Sequence, residues 1–589
     1  MTQKFLKNEW NLGLLYSSVN DPQMEKDMIA LEGLCESFSK AYAGSKKFLT
    51  DTDELIRSID SFFSIIGKMT PKPILYLTFT LHKDASNTKA QSLINLYTDR
   101  ATKAVNKLNF YPITLGKIPA EEQKKLLSDA KLSHYRFFLE RTFLDAKYNL
   151  TEAEERILSL KKLPSSDMWM TGHDKVLSSL TVQWKNKTLP VDEAIAKIAE
   201  CTKSDRDKLW KLVITELKKI AAFSEAEMNA LVTDKKIDDE LRGFKTSFES
   251  TIKEYKNDPK TVELLAEIVA KNFPVSHSFY KIKAKLLKQK SLGYQDRAAN
   301  YAKVTGDFSF QKSKESLLEV FGNFDKKYAK ILNDYITKGQ IDAFPKKGKH
   351  GGAYCWGTYE NPTFVLLNHA DDFRSYTTFA HEMGHAFHTE LSKPLGPVYS
   401  NYSTSLAETA STFFEAVAFD AIIETLPKKQ KVIALHNRIN EDIATIFRQI
   451  ACFNYEKEIH ETVRKNGFIS KEELADLHNK HMKAYLGPAF KMEHDDGFFF
   501  VRWGHIRQFF YVYTYAYGLL VSKALFKKYK ENKKFITTIE KFLSSGGRET
   551  PENILKDIGI DVTTGQLFQD GIDELKNDIK RLETMLKEN

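Results

Sequence analysis

Two histidines four residues apart, His381 and His385, stand in the stretch His381-Glu382-Met383-Gly384-His385-Ala386-Phe387-His388. Residues 376–380 lead into it without Pro or Gly, and apolar residues continue through Ala386, Phe387 and Leu391, so the stretch is expected to be helical. Residues four apart on a helix project to nearly the same side, so both imidazoles can converge on one metal ion. Glu382 is rotated by about 100° from His381; it can lie beside the metal and act on water as a base instead of ligating the ion. Metal-dependent hydrolysis, with zinc the leading ion, is the chemistry this spacing permits. Gly384 costs about 1 kcal/mol of helix propensity relative to Ala, which predicts that a neighbouring strand or helix closely approaches the backbone there.

A catalytic zinc takes three protein ligands and keeps one position open, so a third ligand is required. His388 sits a further turn along the helix and reads as a hydrogen-bonded core histidine, and Glu390 lies off the ligand face. Glu408 is more attractive, because Ser403-Thr404-Ser405 resembles a helix start and small and apolar residues follow. Glu415, seven residues on, shares its face about 10 Å away, so only one of the two can comfortably ligate. The other can orient a histidine through its second ring nitrogen or form a structural ion pair.

These residues carry a resemblance. His381-Glu382-x-Gly384-His385-x-x-His388 followed by Glu408-Thr409-Ala410-Ser411 resembles the thimet-oligopeptidase family of zinc metallopeptidases, in its oligoendopeptidase F branch. Lys349-His350-Gly351-Gly352-Ala353-Tyr354, His505 with Phe510-Tyr511-Val512-Tyr513, and Phe542-Leu543-Ser544-Ser545-Gly546-Gly547 are similar to further segments of that branch. The likeness runs from about residue 217 to the C terminus and more weakly upstream. It implies one zinc ion per chain held by His381, His385 and Glu408, with Glu382 as general base. It also implies that downstream tyrosines help to stabilise the tetrahedral intermediate; Tyr513 matches best, with Tyr511 and His505 as further candidates. Where family members have a glycine-rich loop, this chain has Ile506-Arg507-Gln508-Phe509. Short peptide substrates and a deep channel between helical lobes are further implications.

The chemistry needs a place to hold an extended peptide. Residues 354–359 and 363–367 read as short strands around a turn at 360–362. An edge strand there would pair with substrate backbone and ask little of its side chains. Gly351 and Gly352 would let the two backbones approach, beside Ala353 and Tyr354. The aromatic run from Phe498 to Tyr517 reads mostly as core of a buried helix, with a channel-facing phenol as the exception.

Helical periodicity dominates elsewhere. The expected fold is mainly α, a two-lobed helical metallopeptidase with a small sheet beside the zinc-binding helix. An N-terminal helical lobe is expected at 1–190 and a catalytic domain at 191–589. No apolar run approaches the roughly 18 residues of a membrane helix, and the N-terminal stretch lacks a secretory apolar segment, so a cytoplasmic protein is expected. Four widely spaced cysteines suit reduced thiols. The net charge of +9 comes from 87 basic and 78 acidic residues spread along the chain, which argues against a nucleic-acid partner. Lys346, Lys347 and Lys349 read as a solvated face, or as a patch drawing in a peptide carboxylate. No motif speaks to an oligomeric state. The rivals are a zinc carboxypeptidase, which a blocked C terminus would resist, and a non-catalytic peptide binder, against which Glu382 argues.

Overall fold

The computed structural model describes residues 8–67 and 70–588. The first seven residues of the N-terminal stretch read for a secretory signal lie outside them. Helices dominate, and the chain forms two compact units, each assembled from three segments: Met1–Asn149, Thr305–Ile422 and Lys528–Ile558 in one, Leu150–Val304, Ile423–Lys527 and Gly559–Asn589 in the other. The boundary expected after Pro190 falls inside the second unit, where a strand hairpin runs directly into the helix Val191–Ile198. Local periodicity marks elements but not how far-apart segments pair, which is why the discontinuous division is not visible along the chain.

Five strands lie among the described residues: β1 Thr181–Trp184, β2 Lys187–Pro190, β3 Ile341–Asp342, β4 Tyr354–Trp356 and β5 Phe364–Leu366. In the first unit β5 is central, parallel to β3 and antiparallel to β4 with Tyr354 opposite Leu366, so β4 is an edge strand. The hairpin expected before the histidine motif is present, with shorter strands. All three residues of β5 are buried, and Trp10 anchors the sheet by donating from Nε1 to Val365 O at 2.8 Å.

Three helices bear the candidate residues: α1 Phe373–Ser392, α2 Thr404–Thr425 and α3 Tyr513–Glu531. Asp372 starts α1 by accepting from the Ser375 amide at 2.8 Å, the N-cap bond that an isolated helix end needs. Phe387 of α1 packs on Phe414 of α2 with ring centres 4.7 Å apart, and both meet Phe321 and Tyr328. This aromatic seam fixes α1 against α2. No helix among the described residues is long and apolar enough to cross a membrane, and all four cysteines are free thiols.

In the second unit, a buried network joins Arg507 to Glu227 by two bonds of 2.8 Å and to His173 at 3.1 Å. The aromatic run 498–517 is largely buried there, yet it is not one helix. It breaks into 3₁₀ turns His494–Arg502 and Gly504–Arg507 before α3 begins at Tyr513. Positive φ angles at Phe509 (44°) and Phe510 (62°) interrupt it, because a right-handed helix cannot pass through left-handed residues.

Candidate metal and peptide site

Helix α1 brings the rings of His381 and His385 to 5.0 Å between centres. A Cβ on Gly384 would lie 2.7 Å from Ser411 Cα and 2.9 Å from Ala410 O. The close neighbour expected at Gly384 is therefore α2, and this approach delivers Glu408. One ligand atom each from His381, His385 and Glu408 lies within 4.8 Å of the others. Atoms bound to one zinc at about 2.1 Å stand roughly 3.5 Å apart, so small side-chain rotations fit this set to one ion.

The surroundings prepare the same arrangement. Glu415 Oε2 accepts from His381 Nδ1 at 3.0 Å, leaving His381 Nε2 facing Glu408 Oε2 at 3.7 Å. This is the orientation by a second ring nitrogen that metal-bound histidines need. Burial alone would lower the His381 pKa, but the Glu415 hydrogen bond and the charges of Glu382, Glu415 and Glu408 together raise it to about 9. Burial, and the neighbouring His381 and His388, hold His385 well below the ordinary histidine value. Glu408 is pushed up by burial, opposed by His381 and a Ser411 hydrogen bond.

Glu382 is 6% exposed, and its Oε2 has no hydrogen-bond partner among the described residues. Burial raises its pKa to about 7 against the pull of His381. A buried carboxylate oxygen without a partner is uncommon and calls for a functional explanation. His388 stands apart from the ligand group: it is fully buried, stacked on Tyr402 at 3.5 Å, and neutral, with burial taking its pKa to about 3. Neither of its nitrogens is hydrogen-bonded, so it is a packed histidine and not the hydrogen-bonded one expected. Glu390 is occupied by Tyr335, Thr363 and Lys393.

A cleft of about 460 Å³ separates β4 from this group, with Ala353, Tyr354, Cys355 and Trp356 on one side and His381, Glu382, His385 and Glu408 on the other. Tyr354 Oη is hydrogen-bonded to His82 Nδ1. Gly351 and Gly352 do not line the cleft; they are exposed, and a Cβ on either would meet nothing within 4 Å. Gly352 is needed for its φ of +75°, and Asn368 Nδ2 donates to its carbonyl at 2.7 Å, steadying the approach to β4. Lys349 departs from the solvated reading. Its ammonium is fully buried, donating to Asp342 Oδ1 at 2.6 Å and to the carbonyls of Phe344 and Leu367. It therefore ties the loop to the sheet.

The downstream candidates lie in the second unit. His505 Nδ1 and Tyr511 Oη share a hydrogen bond of 2.5 Å, and both residues are half-buried. Burial and the charges of Arg448 and Arg502 lower the His505 pKa to about 4. Tyr513 is fully buried, and its hydroxyl donates to Asn257 Oδ1 at 3.0 Å. The best match by sequence is thus a core tyrosine, while Tyr511 is only half-buried.

The model of Peptidase family M3 matches residues 199–574, and that of Oligopeptidase F matches residues 115–181. The chain belongs to peptidase family M3. It is 27% identical to an oligoendopeptidase F homolog of Borreliella burgdorferi over 97% of this chain and 96% of that one. It is 23% identical to oligopeptidase PepF of Bacillus subtilis over 97% of this chain and 87% of that one. The crystal structure of oligoendopeptidase-F from Enterococcus faecium shares the fold with a TM-score of 0.72, at 17% identity over 96% of this chain and 99% of that one.

This M3 peptidase is a metallo-endopeptidase with a mainly α fold. Sequence reasoning missed Asn257, which takes the Tyr513 hydroxyl, and Glu456, whose Oε1 accepts from the Phe510 amide at 2.8 Å and holds the left-handed turn before Tyr511. Neither stands in a motif. The only available signal was the absence of glycine from 505–512, which implies that a non-glycine turn must be held by something else.

Proposed function

We propose that this M3 peptidase is a zinc-dependent endopeptidase that cuts internal bonds of short oligopeptides, with His381, His385 and Glu408 as ligands and Glu382 as general base. The observation that carries the reading is the delivery of Glu408 to the histidine pair beside the unpartnered Glu382 Oε2. Zinc bound by these residues would supply Lewis-acid polarisation of a carbonyl and make water more acidic.

The chain's own residues supply the remaining work. Glu415 fixes the His381 tautomer. Glu382 takes a proton from the attacking water and gives it to the departing amine nitrogen. The free edge of β4 pairs with extended substrate backbone, Ala353 and Tyr354 contributing at one end and Gly351 and Gly352 shaping the approach. For the oxyanion we favour Tyr511, oriented by His505, over Tyr513, whose hydroxyl is spent on Asn257. The names of the relatives support short peptides as substrates. The free thiols favour a cytoplasmic enzyme.

Product mapping on peptides blocked at both ends tests the class. Internal cuts that a chelator abolishes and zinc restores, with one zinc per chain by metal analysis, are expected. Release of single C-terminal residues only from unblocked peptides would favour a carboxypeptidase instead.

A further inference from the structure

Two features of the first unit take no part in the ligand group: the packed His388 and the segment Phe542-Leu543-Ser544-Ser545-Gly546-Gly547. Both bear on one loop, 399–402, which leads into α2. His388 stacks on the Tyr402 ring at 3.5 Å and 8°, and Phe542 lies 5.6 Å from the same histidine. The Gly547 amide donates to Tyr399 O at 2.9 Å. A Cβ on Gly546 would overlap Tyr399 O, and one on Gly547 would overlap Asn401 O. Only residues without side chains let these two backbones meet. The loop is thus held at Tyr399, Asn401 and Tyr402.

What this grip positions is a wall of the cleft. Ser400, Asn401 and Tyr402 line the same 460 Å³ as Ala353, Tyr354, His381 and Glu408. The Tyr402 hydroxyl is spent on Thr389 Oγ1, 2.8 Å away. Ser400 is 6% exposed, and its Oγ has no hydrogen-bond partner among the described residues. The half-buried carboxamide of Asn401 makes no hydrogen bond among them either. A buried hydroxyl without a partner calls for an explanation.

An extended peptide paired with β4 spends only half of its backbone on the strand, because the N–H and C=O of one residue face β4 and those of the next face away. Inside a cleft the groups that face away leave water as well, and each must find another partner. A carboxamide offers an acceptor and a donor side by side. Asn401 Oδ1 can accept from such an N–H while Nδ2 donates to the C=O of the same residue. Recognition of this kind reads backbone and leaves the side chains free, as pairing with β4 does.

We propose that Asn401, with Ser400, binds the substrate backbone on the edge that β4 leaves free, and that Gly547 and His388 are positioning residues that hold the loop. This rests on the reading of the chain as an oligopeptide endopeptidase whose substrate pairs with β4.

The test is an ester scan: one peptide, blocked at both ends, made as a series in which each backbone N–H in turn is replaced by oxygen. Binding is measured by calorimetry on the zinc-loaded Glu382→Gln enzyme, and KM and kcat of the all-amide peptide on the otherwise wild-type enzyme. Ester positions that pair with β4 should weaken binding at every second residue. A further position, out of phase with these, should weaken it about threefold to tenfold through Asn401. In Asn401→Ala that one penalty should vanish while the others stay, with KM raised about threefold to tenfold, kcat near normal and melting unchanged, since the carboxamide has no bond to lose in the free protein. Ser400→Ala should raise KM in the same way and leave melting unchanged. Gly547→Ala should reproduce the Asn401→Ala pattern and add little to it in the double variant. Should Gly547→Ala fail to fold, the scan on Asn401→Ala decides alone. An ester pattern that is the same in wild type, Asn401→Ala and Ser400→Ala, or a uniform loss at all positions accompanied by lower melting, overturns the proposal. Peptide binding with the predicted pattern but without chelator-sensitive cleavage would instead overturn the functional reading and leave the loop's role standing.

Discussion

Helix α1 holds His381, Glu382 and His385 by regular geometry, whereas the turn at 504–512 holds His505 and Tyr511 with a backbone that no regular element adopts. In the first region one glycine admits a second helix, and the ligand group follows from helical spacing and that single close approach. In the second, two consecutive phenylalanines take positive φ, at a cost on the order of 1–3 kcal/mol each. Glu456, the Phe510 amide and the rings packed around His460 hold them there. The candidate ligands thus sit on a rigid element, and the phenol proposed for the oxyanion is carried by a strained turn.

The comparison can be broken most severely at the ligands. Glu408→Ala should abolish zinc retention and cleavage together, seen by metal analysis and peptide assay. Glu415→Ala should keep measurable activity while weakening zinc about tenfold to a hundredfold. Equal effects would remove the distinction between ligand and orienting residue.

In the tyrosine turn, Tyr511→Phe should lower kcat about a hundredfold, with a loss of stability of about 1 kcal/mol or less as its His505 bond is lost. Tyr513→Phe should leave kcat near normal and destabilise the fold by about 1 kcal/mol, as its Asn257 bond is lost. The reverse pattern in kinetics and thermal melts would return the role to Tyr513.

Gly384→Ala separates local propensity from packing. Helix propensity alone predicts a gain of about 1 kcal/mol; the 2.7 Å contact with Ser411 Cα predicts a net loss of about 1–3 kcal/mol and weaker zinc binding. The sign of the change in melting temperature decides.

The smallest effect is in pH. His381, raised to about 9 in the metal-free protein, contributes stability that is present below about 6.5 and lost as pH rises through 9. The melting temperature of the metal-depleted protein should therefore fall across that window. Zinc binding at pH 7 should release a proton from His381, so affinity rises with pH until about 9. Calorimetry in buffers of different ionisation enthalpy measures this, and no proton release would contradict the Glu415–His381 pairing.

The two regions also differ in how far the sequence discloses them. Helical spacing made His381, Glu382 and His385 legible, Gly384 announced a close neighbour, and 354–367 read as a hairpin. Which of Glu408 and Glu415 would face the metal depended on helix rotation, which spacing alone leaves open. The tyrosine turn was less legible because alternating aromatics suit a helix as well as a broken run, and because Asn257 and Glu456 act from over 50 residues away or more. Lys349 looked like one of a solvated basic cluster; only the carbonyls gathered around it show that it is buried. Long-range pairing likewise set the two discontinuous units.

The most direct measurement is of the Glu382→Gln enzyme, comparing zinc content, melting and kcat/KM with wild type. The account predicts one zinc per chain, a retained fold and a loss of roughly a hundredfold to ten-thousandfold in kcat/KM. Near-normal cleavage by the zinc-loaded variant would contradict it.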